Sequence, residues 1–99
     1  MPAYVMVNTR VSDPTRIQLY RDLAEQSVKQ FGGTYLARGG HLRVLEGTYH
    51  PERMVLLEFP TLERAQAWYA SDAYAEARRA RAGIAEFEMV LVEGLPAPL

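Results

Sequence analysis

The chain has 99 residues, of which 48% are hydrophobic and 23% are charged, and its formal net charge is −1. This length predicts a single domain with one hydrophobic core, and the near balance of charges argues against a nucleic-acid-binding surface. The absence of cysteine excludes disulfides and thiolate chemistry. No apolar run is long enough to span a membrane, and the N-terminus carries no export signal, so we expect a cytoplasmic protein.

We predict the first strand at Ala3–Val11 from its alternating pattern. One face would carry Val5, Val7 and Val11, and the other would carry Tyr4, Met6, Asn8 and Arg10. Both faces are largely apolar up to Val7, which is typical of a central strand covered on two sides.

A helix is predicted to follow this strand. Asp13 is a suitable cap, and Pro14 lies where a missing N–H costs nothing. The apolar residues then recur every three or four positions, at Ile17, Tyr20, Ala24, Val28 and Phe31. Gly32 and Gly33 end the helix, since glycine adopts the left-handed conformation readily.

The next stretch, residues 34–47 (TYLARGGHLRVLEG), predicts a strand that Gly39 and Gly40 interrupt. A glycine pair within a strand pattern indicates a bulge, a bend or a close backbone approach. Residues 48–53 predict a turn, because Pro51 cannot continue the hydrogen-bonded ladder.

Met54–Phe59 is predicted as the second central strand, because it contains the longest apolar run. Pro60 stops it, and Thr61 is a good N-cap for the helix that follows. Ser71 can restart that helix, so we expect two segments, at 61–70 and 72–82.

Gly83 ends the second segment, and Phe87–Glu93 is the last predicted strand before a tail at residues 95–99. The order βαββαβ over a single domain, residues 1–99, indicates an α+β fold. The commonest topology for this order is the ferredoxin-like antiparallel sheet with both helices on one face. The first and third strands are then central.

In this arrangement the sheet face away from the helices has nothing in the chain to cover it. Met6, together with alternate residues such as Met54, Leu56 or Met89, is predicted to line that face. An uncovered apolar face implies a partner. Because two-fold pairs are the commonest oligomers, we expect a homodimer that packs sheet against sheet.

Five segments carry a resemblance to a known family: YVMVNTRVSDP, YLARGG, VLEG, VLLEFP and AWYASDAY. In their order and spacing, over positions 3–94, they resemble the bacterial family called domain of unknown function 1330, of the dimeric α+β barrel superfamily. The resemblance implies a dimer whose two sheets form a barrel, with a small pocket between sheet and helices in each subunit. Relatives in the superfamily include cofactor-independent monooxygenases, lactone isomerases and haem-degrading oxygenases, but analogy at the level of the fold does not assign a reaction.

Glu58 lies within an apolar strand, where a carboxylate needs a partner. Arg38, on the neighbouring strand, is the predicted partner, and both side chains would point into the cavity between sheet and helices. One interpretation is a structural ion pair. The other is a general base, Glu58, with Arg38 binding a ligand or steadying an oxyanion.

His41 follows the glycine pair and is the second candidate for acid–base catalysis, because its ordinary pKa lies near neutrality. The alternative interpretation is that His41 is exposed to solvent and has no catalytic role. His50 precedes a proline in a turn and is predicted to be exposed. The two histidines have no neighbouring metal-ligand motif, so no metal site is predicted.

Four aromatic residues are candidate ligand-binding residues, although aromatic groups of this kind are more often part of a core. They are Tyr20, Tyr35, Trp68 and Tyr69. Trp68 and Tyr69 are adjacent on a helix, so one packs inward and the other lies near the helix edge. The run Arg78–Arg81 (RRAR) spreads around its helix, which predicts a solvated face rather than a phosphate site.

The haem-degrading relatives use an asparagine on the first strand, a tryptophan and a later histidine. Asn8 and Trp68 look similar to the first two, but no histidine follows His50. We therefore predict no haem and no other cofactor.

Three functions remain open. The first is binding of a small organic molecule in the pocket between sheet and helices. The second is a cofactor-independent enzyme, monooxygenase-like or isomerase-like, acting on a small aromatic or lactone substrate. The third is a structural dimer without a ligand. Polar groups that converge on an apolar pocket would favour the first two.

Overall fold

The computed structural model describes residues 1–96, and the predicted order is present, with the second helical region in two pieces. The elements are β1 (Ala3–Val11), α1 (Gln18–Gln30), β2 (Thr34–Arg38), β3 (Arg53–Phe59), α2 (Leu62–Ala70), α3 (Asp72–Arg81) and β4 (Ala85–Glu93). Of the predicted tail, residues 97–99 lie outside the described part. None of the helices found in 1–96 is long and apolar enough to cross a membrane.

The four strands form one antiparallel sheet in the order β2-β3-β1-β4. This is the ferredoxin-like arrangement, and β1 and β3 are central as predicted. Val5 lies between Leu57 and Leu91 in the register, and Val5 and Leu57 are buried beneath the helices. The helices therefore cover one face of the sheet, and the main core lies between the two layers.

Helix α1 presents the predicted apolar stripe to this core, but it begins later than predicted. Residues 14–17 form a turn, and the helix starts at Gln18. Asp13 caps that turn rather than the helix: its Oδ1 accepts hydrogen bonds from the Thr15 backbone N–H (3.2 Å) and hydroxyl (2.7 Å). At the other end Gly32 has φ +77°, as predicted for a helix stop.

The break between α2 and α3 is fixed by Ser71. Its hydroxyl donates to the Trp68 carbonyl (2.7 Å) and accepts from the Tyr74 N–H (3.1 Å). One side chain thus ends the first helix and caps the second, which confirms the two-segment prediction. Thr61 caps α2 in the same way, accepting from the Arg64 N–H at 3.1 Å.

Strand β2 is shorter than predicted, since it ends at Arg38 and does not resume after the glycine pair. Its irregularity falls between Tyr35 and Ala37 instead of at the glycines. Gly39 makes the last ladder hydrogen bond, to the Met54 carbonyl (2.9 Å), and its φ of +73° then turns the chain out of the sheet. Residues 40–52 follow without helix or strand.

We expect the two glycines to respond differently to alanine. At Gly39 the positive φ is strained for alanine, and an added Cβ would lie 2.8 Å from the Arg53 Nε. Gly39→Ala should therefore lower the free energy of unfolding by about 1 kcal/mol or more. Gly40 has open space around it, so Gly40→Ala serves as the matched control and should unfold like wild type. Equal urea midpoints for the two variants would contradict this assignment.

The sheet face opposite the helices carries an apolar patch that is largely open, as predicted. Met6, Val90 and Val92 are exposed there, and Met54 and Leu56 are half-buried beside them. We use the name open face for the surface formed by Tyr4, Met6, Met54, Leu56, Val90 and Val92. The prediction for Met89 was wrong: it pairs with the buried Val7 and therefore lies on the helix side.

Candidate functional site

The main cavity lies between the helix layer and the β1–β4 half of the sheet. Its volume is about 440 Å³, within the range of small-molecule sites. It is lined by Val5, Ala65, Gln66, Trp68, Tyr69, Arg81, Phe87, Met89 and Leu91. Most of this wall is apolar or aromatic, with an amide, a phenol and a guanidinium as its polar groups. The resemblance placed a pocket in this position.

Trp68 forms a rigid part of the wall. The side chain is 2% exposed, and its ring centroid lies 5.2 Å from that of Phe59 and 4.3 Å from that of Tyr74. The indole N–H donates to the Ser27 hydroxyl at 3.0 Å, and that hydroxyl donates to the Ala24 carbonyl at 2.8 Å. The indole is thus fixed both by packing and by a satisfied polar group.

Tyr69 stands at the mouth of the cavity. It is 43% exposed, and its ring meets that of Trp68 edge-on at 6.1 Å. The Arg78 guanidinium lies over its ring, 4.7 Å from the centroid. The structure therefore confirms that one of the two adjacent aromatics points inward and the other lies near the helix edge.

Behind the cavity wall, the phenols of Tyr20 and Tyr74 form a buried pair with their hydroxyl oxygens 2.8 Å apart. Tyr20 also packs edge-on against Phe87, a residue of the wall, at 4.9 Å. Burial raises the pKa of both phenols, and for Tyr20 the neighbouring Tyr74 adds to the increase. Both therefore stay protonated near neutral pH, and Tyr20 supports the wall without lining it. Tyr74 was not among the predicted site residues.

Arg81 is the functional candidate that the sequence interpretation missed. Its guanidinium lies 4.0 Å from the centroid of Phe87 and lines the cavity, while its Nε is buried without a hydrogen-bond partner within residues 1–96. The prediction of a solvated RRAR face was thus wrong for Arg81 and Arg78, although Arg79 is exposed. Positions 78 and 81 share a helix face, and cation–π contacts hold both guanidiniums against rings.

The predicted pairing of Arg38 with Glu58 is wrong. Glu58 pairs with Tyr4 on the open-face side, because its neighbours Leu57 and Phe59 are the buried residues. Arg38 pairs with Val55, which faces the helices. The two side chains therefore lie on opposite faces, so neither Arg38 nor Glu58 reaches the cavity.

Arg38 instead joins a second group of side chains near α1. Its Nη1 lies 3.6 Å from a Glu25 carboxylate oxygen, and its guanidinium lies over the ring of Tyr35 at 4.3 Å. Tyr35 is half-buried, and burial raises the pKa of its phenol. Neither Tyr35 nor Arg38 lines the main cavity.

The two histidines also lie apart from the cavity. His41 is exposed within the irregular segment 40–52. His50 is exposed, as predicted, and lines a separate polar pocket with Asn8, Arg10 and Glu52. Across the described range 1–96, histidine and carboxylate side chains form no group of three or more that could hold a metal ion.

Solved structures share this fold at low sequence identity. A protein of unknown function from Rhodopseudomonas palustris has 16% identity and a TM-score of 0.73, covering 97% of this chain and 84% of its own. The cofactor-independent oxygenase SnoaB from Streptomyces nogalater has 9% identity and a TM-score of 0.64, with 97% and 95% covered. A dimeric ferredoxin-like protein of unknown function from Thermobifida fusca has 15% identity and a TM-score of 0.64, with 94% and 91% covered.

These identities support a shared fold and not a shared activity. A comparison with curated proteins gave no match. The family comparison is more specific, because a single model covers residues 2–95, from the start of β1 to the end of β4. The chain therefore belongs to the family described as domain of unknown function (DUF1330).

Proposed function

We propose that this protein binds a small, largely apolar organic molecule that carries one negatively charged group. The occupant would lie in the main cavity, with its flat apolar part against Trp68 and Phe87 and its anionic group beside Arg81. The observation that carries the proposal is the Arg81 guanidinium on the wall of an apolar cavity, with its Nε buried and unpaired among the described residues.

A buried donor without a partner is costly, and the cost is larger when the group is charged. A carboxylate, phenolate or enolate oxygen in the cavity would accept a charge-assisted hydrogen bond from the part of the Arg81 guanidinium that lines it. The Phe87 ring already holds the guanidinium in place at 4.0 Å. Binding would therefore need little further ordering of this side chain.

The same wall argues for binding over catalysis. Among its nine residues there is no carboxylate and no imidazole, so it offers no ordinary general base. Tyr20 and Tyr74 lie behind the wall with raised pKa values. His41 and Glu58, the two predicted catalytic residues, lie elsewhere. A cofactor-independent enzyme on this scaffold would have to act on a substrate that ionises beside Arg81 without a protein base.

The working unit in this proposal is a homodimer. In the single chain the open face is an apolar patch of the sheet, with Val90 56% and Val92 47% exposed. Packing the sheets of two copies against each other would bury it. The Thermobifida fusca protein of the same fold is described as dimeric, which supports the proposal.

The cavity proposal predicts that Arg81→Met weakens binding of 2-naphthoate at least about tenfold, because the variant keeps a long apolar side chain but loses the cation. Arg79→Met removes the same charge from the exposed side of α3 and should bind like wild type. Isothermal titration of the three proteins, repeated with neutral 2-naphthamide, is the measurement. Arg81→Met should bind 2-naphthoate more weakly than Arg79→Met does, whereas the two variants should bind the neutral 2-naphthamide with equal affinity. Equal affinities of wild type and Arg81→Met for 2-naphthoate would refute the role of Arg81.

A further inference from the structure

A second cluster of basic side chains lies on the helix side of the sheet, over β2 and β3. Arg38 lies on β2 and Arg53 on β3. Arg53 is two residues before the buried Val55, so both lie on the sheet face that the helices cover. Arg21 lies on α1 one turn before Glu25, on the same helix face. Glu25 contacts Arg38 at 3.6 Å, which ties α1 to this group. We use the name arginine cluster for Arg21, Arg38 and Arg53.

The arginine cluster has too few negative charges among the described residues. Glu25 is its single carboxylate partner, and that carboxylate also contacts Lys29 at 3.5 Å. Neither Arg21 nor Arg53 has a carboxylate within salt-bridge distance in residues 1–96. Burial lowers the pKa of Arg53, and the charges of Arg21 and Arg38 lower it further. Three arginines therefore share one carboxylate, which leaves two positive charges of the cluster uncompensated.

The backbone around Arg53 is shaped to hold its guanidinium. Gly39 leaves the space that the side chain occupies, since a Cβ there would lie 2.8 Å from Nε and 3.0 Å from one Nη. On the other side, Arg53 is the cross-strand neighbour of Thr9. Thr9 is 4% exposed, and its hydroxyl has no hydrogen-bond partner in the described range. The Arg53 guanidinium thus lies over Gly39, the residue that follows Arg38 at the end of β2.

We propose that the arginine cluster is a binding site for a phosphate group, separate from the main cavity. A phosphate dianion would supply the two missing negative charges and accept bidentate hydrogen bonds from guanidinium forks. The sources of such a group are free phosphate and an organic phosphate monoester. Because none of the cluster's arginines lines the main cavity, occupation of one site does not require the other.

The test is titration of wild type, Arg53→Met, Arg21→Met and the control Arg79→Met with inorganic phosphate and with phenyl phosphate. Binding is followed by calorimetry and by the amide signals of Gly39 and Gly40 in NMR. We expect saturable binding that falls at least about tenfold in Arg53→Met and Arg21→Met but not in Arg79→Met. Arg81→Met should also bind phosphate like wild type, which separates this site from the cavity.

Tighter binding of phenyl phosphate would identify a monoester site, and equal affinities would identify a site for the phosphate group alone. Arg53→Lys should bind more weakly than wild type, since it keeps the charge but loses the fork. Thermal melts verify that each variant is folded. If Arg53→Met does not fold, the phosphate affinity of Arg21→Met, whose substitution lies at the helix surface, tests the site alone. No saturable binding by wild type, or undiminished binding by folded Arg21→Met, would overturn the proposal.

Discussion

Trp68→Ala is expected to lower the free energy of unfolding by about 3–5 kcal/mol. The side chain is 2% exposed and lies at the centre of an aromatic group with Phe59 and Tyr74. Its removal would leave a void beside the existing cavity and would break the hydrogen bond to Ser27. Since small domains are stable by only about 5–15 kcal/mol, one substitution would remove a large share of the stability.

Urea unfolding, followed by circular dichroism, measures the effect. The neighbouring residue gives a matched control, because Tyr69 is also aromatic and lines the same cavity but is 43% exposed. Tyr69→Ala should lose less than half as much stability as Trp68→Ala. If Trp68→Ala does not fold, Trp68→Phe should still unfold at lower urea than wild type. Equal losses at positions 68 and 69 would show that the buried indole is not the centre of this core.

The elements of this fold are predictable because their signals are local. The left-handed Gly32 ends α1, Thr61 caps α2, and Ser71 both ends α2 and caps α3. Each of these depends on one residue and the three or four around it. The start of α1 was misplaced because Asp13 and Pro14 also suit a turn, which is what they form.

The candidate site was harder to predict because the facing of a strand is a tertiary property. Alternation groups Met54, Leu56 and Glu58 on one face of β3, so the predictions of Leu56 on the uncovered face and Glu58 in the cavity were incompatible, and only the tertiary structure shows which of them holds. Leu57 and Phe59 are the buried residues, so Glu58 belongs with Leu56 and away from the cavity. The same parity places Met89 opposite to its predicted side.

Arg81 was missed for a different reason. A run of arginines on a helix is usually solvated. The number of charges in the run does not reveal that aromatic rings of other residues lie within contact distance of two of them. The usable signal was spacing: Tyr74, Arg78 and Arg81 recur at intervals of four and three on one face of α3. A basic residue in register with a buried aromatic can stack on the aromatic core instead of extending into water.

Met6→Asp is expected to dissociate the proposed homodimer. Met6 is the open-face residue at the middle of the central strand β1, flanked in the register by Leu56 and Val90. In a two-fold sheet-on-sheet interface each substitution occurs twice, so two unpaired carboxylates would be buried together. Such burial costs several kcal/mol, which would raise the dissociation constant by more than about a hundredfold.

Sedimentation velocity at micromolar concentrations is the measurement, with a control of the same chemistry on the opposite side of the molecule. Leu19 is an apolar residue on α1 that is 60% exposed, so Leu19→Asp adds the same charge to the helix layer. Wild type and Leu19→Asp should sediment as dimers and Met6→Asp as a monomer, with all three folded by circular dichroism. A wild-type profile that contains only monomer would remove the homodimer from the proposed function. Dissociation by Leu19→Asp and not by Met6→Asp would move the interface to the helix layer, because the buried charge acts only where the two copies meet.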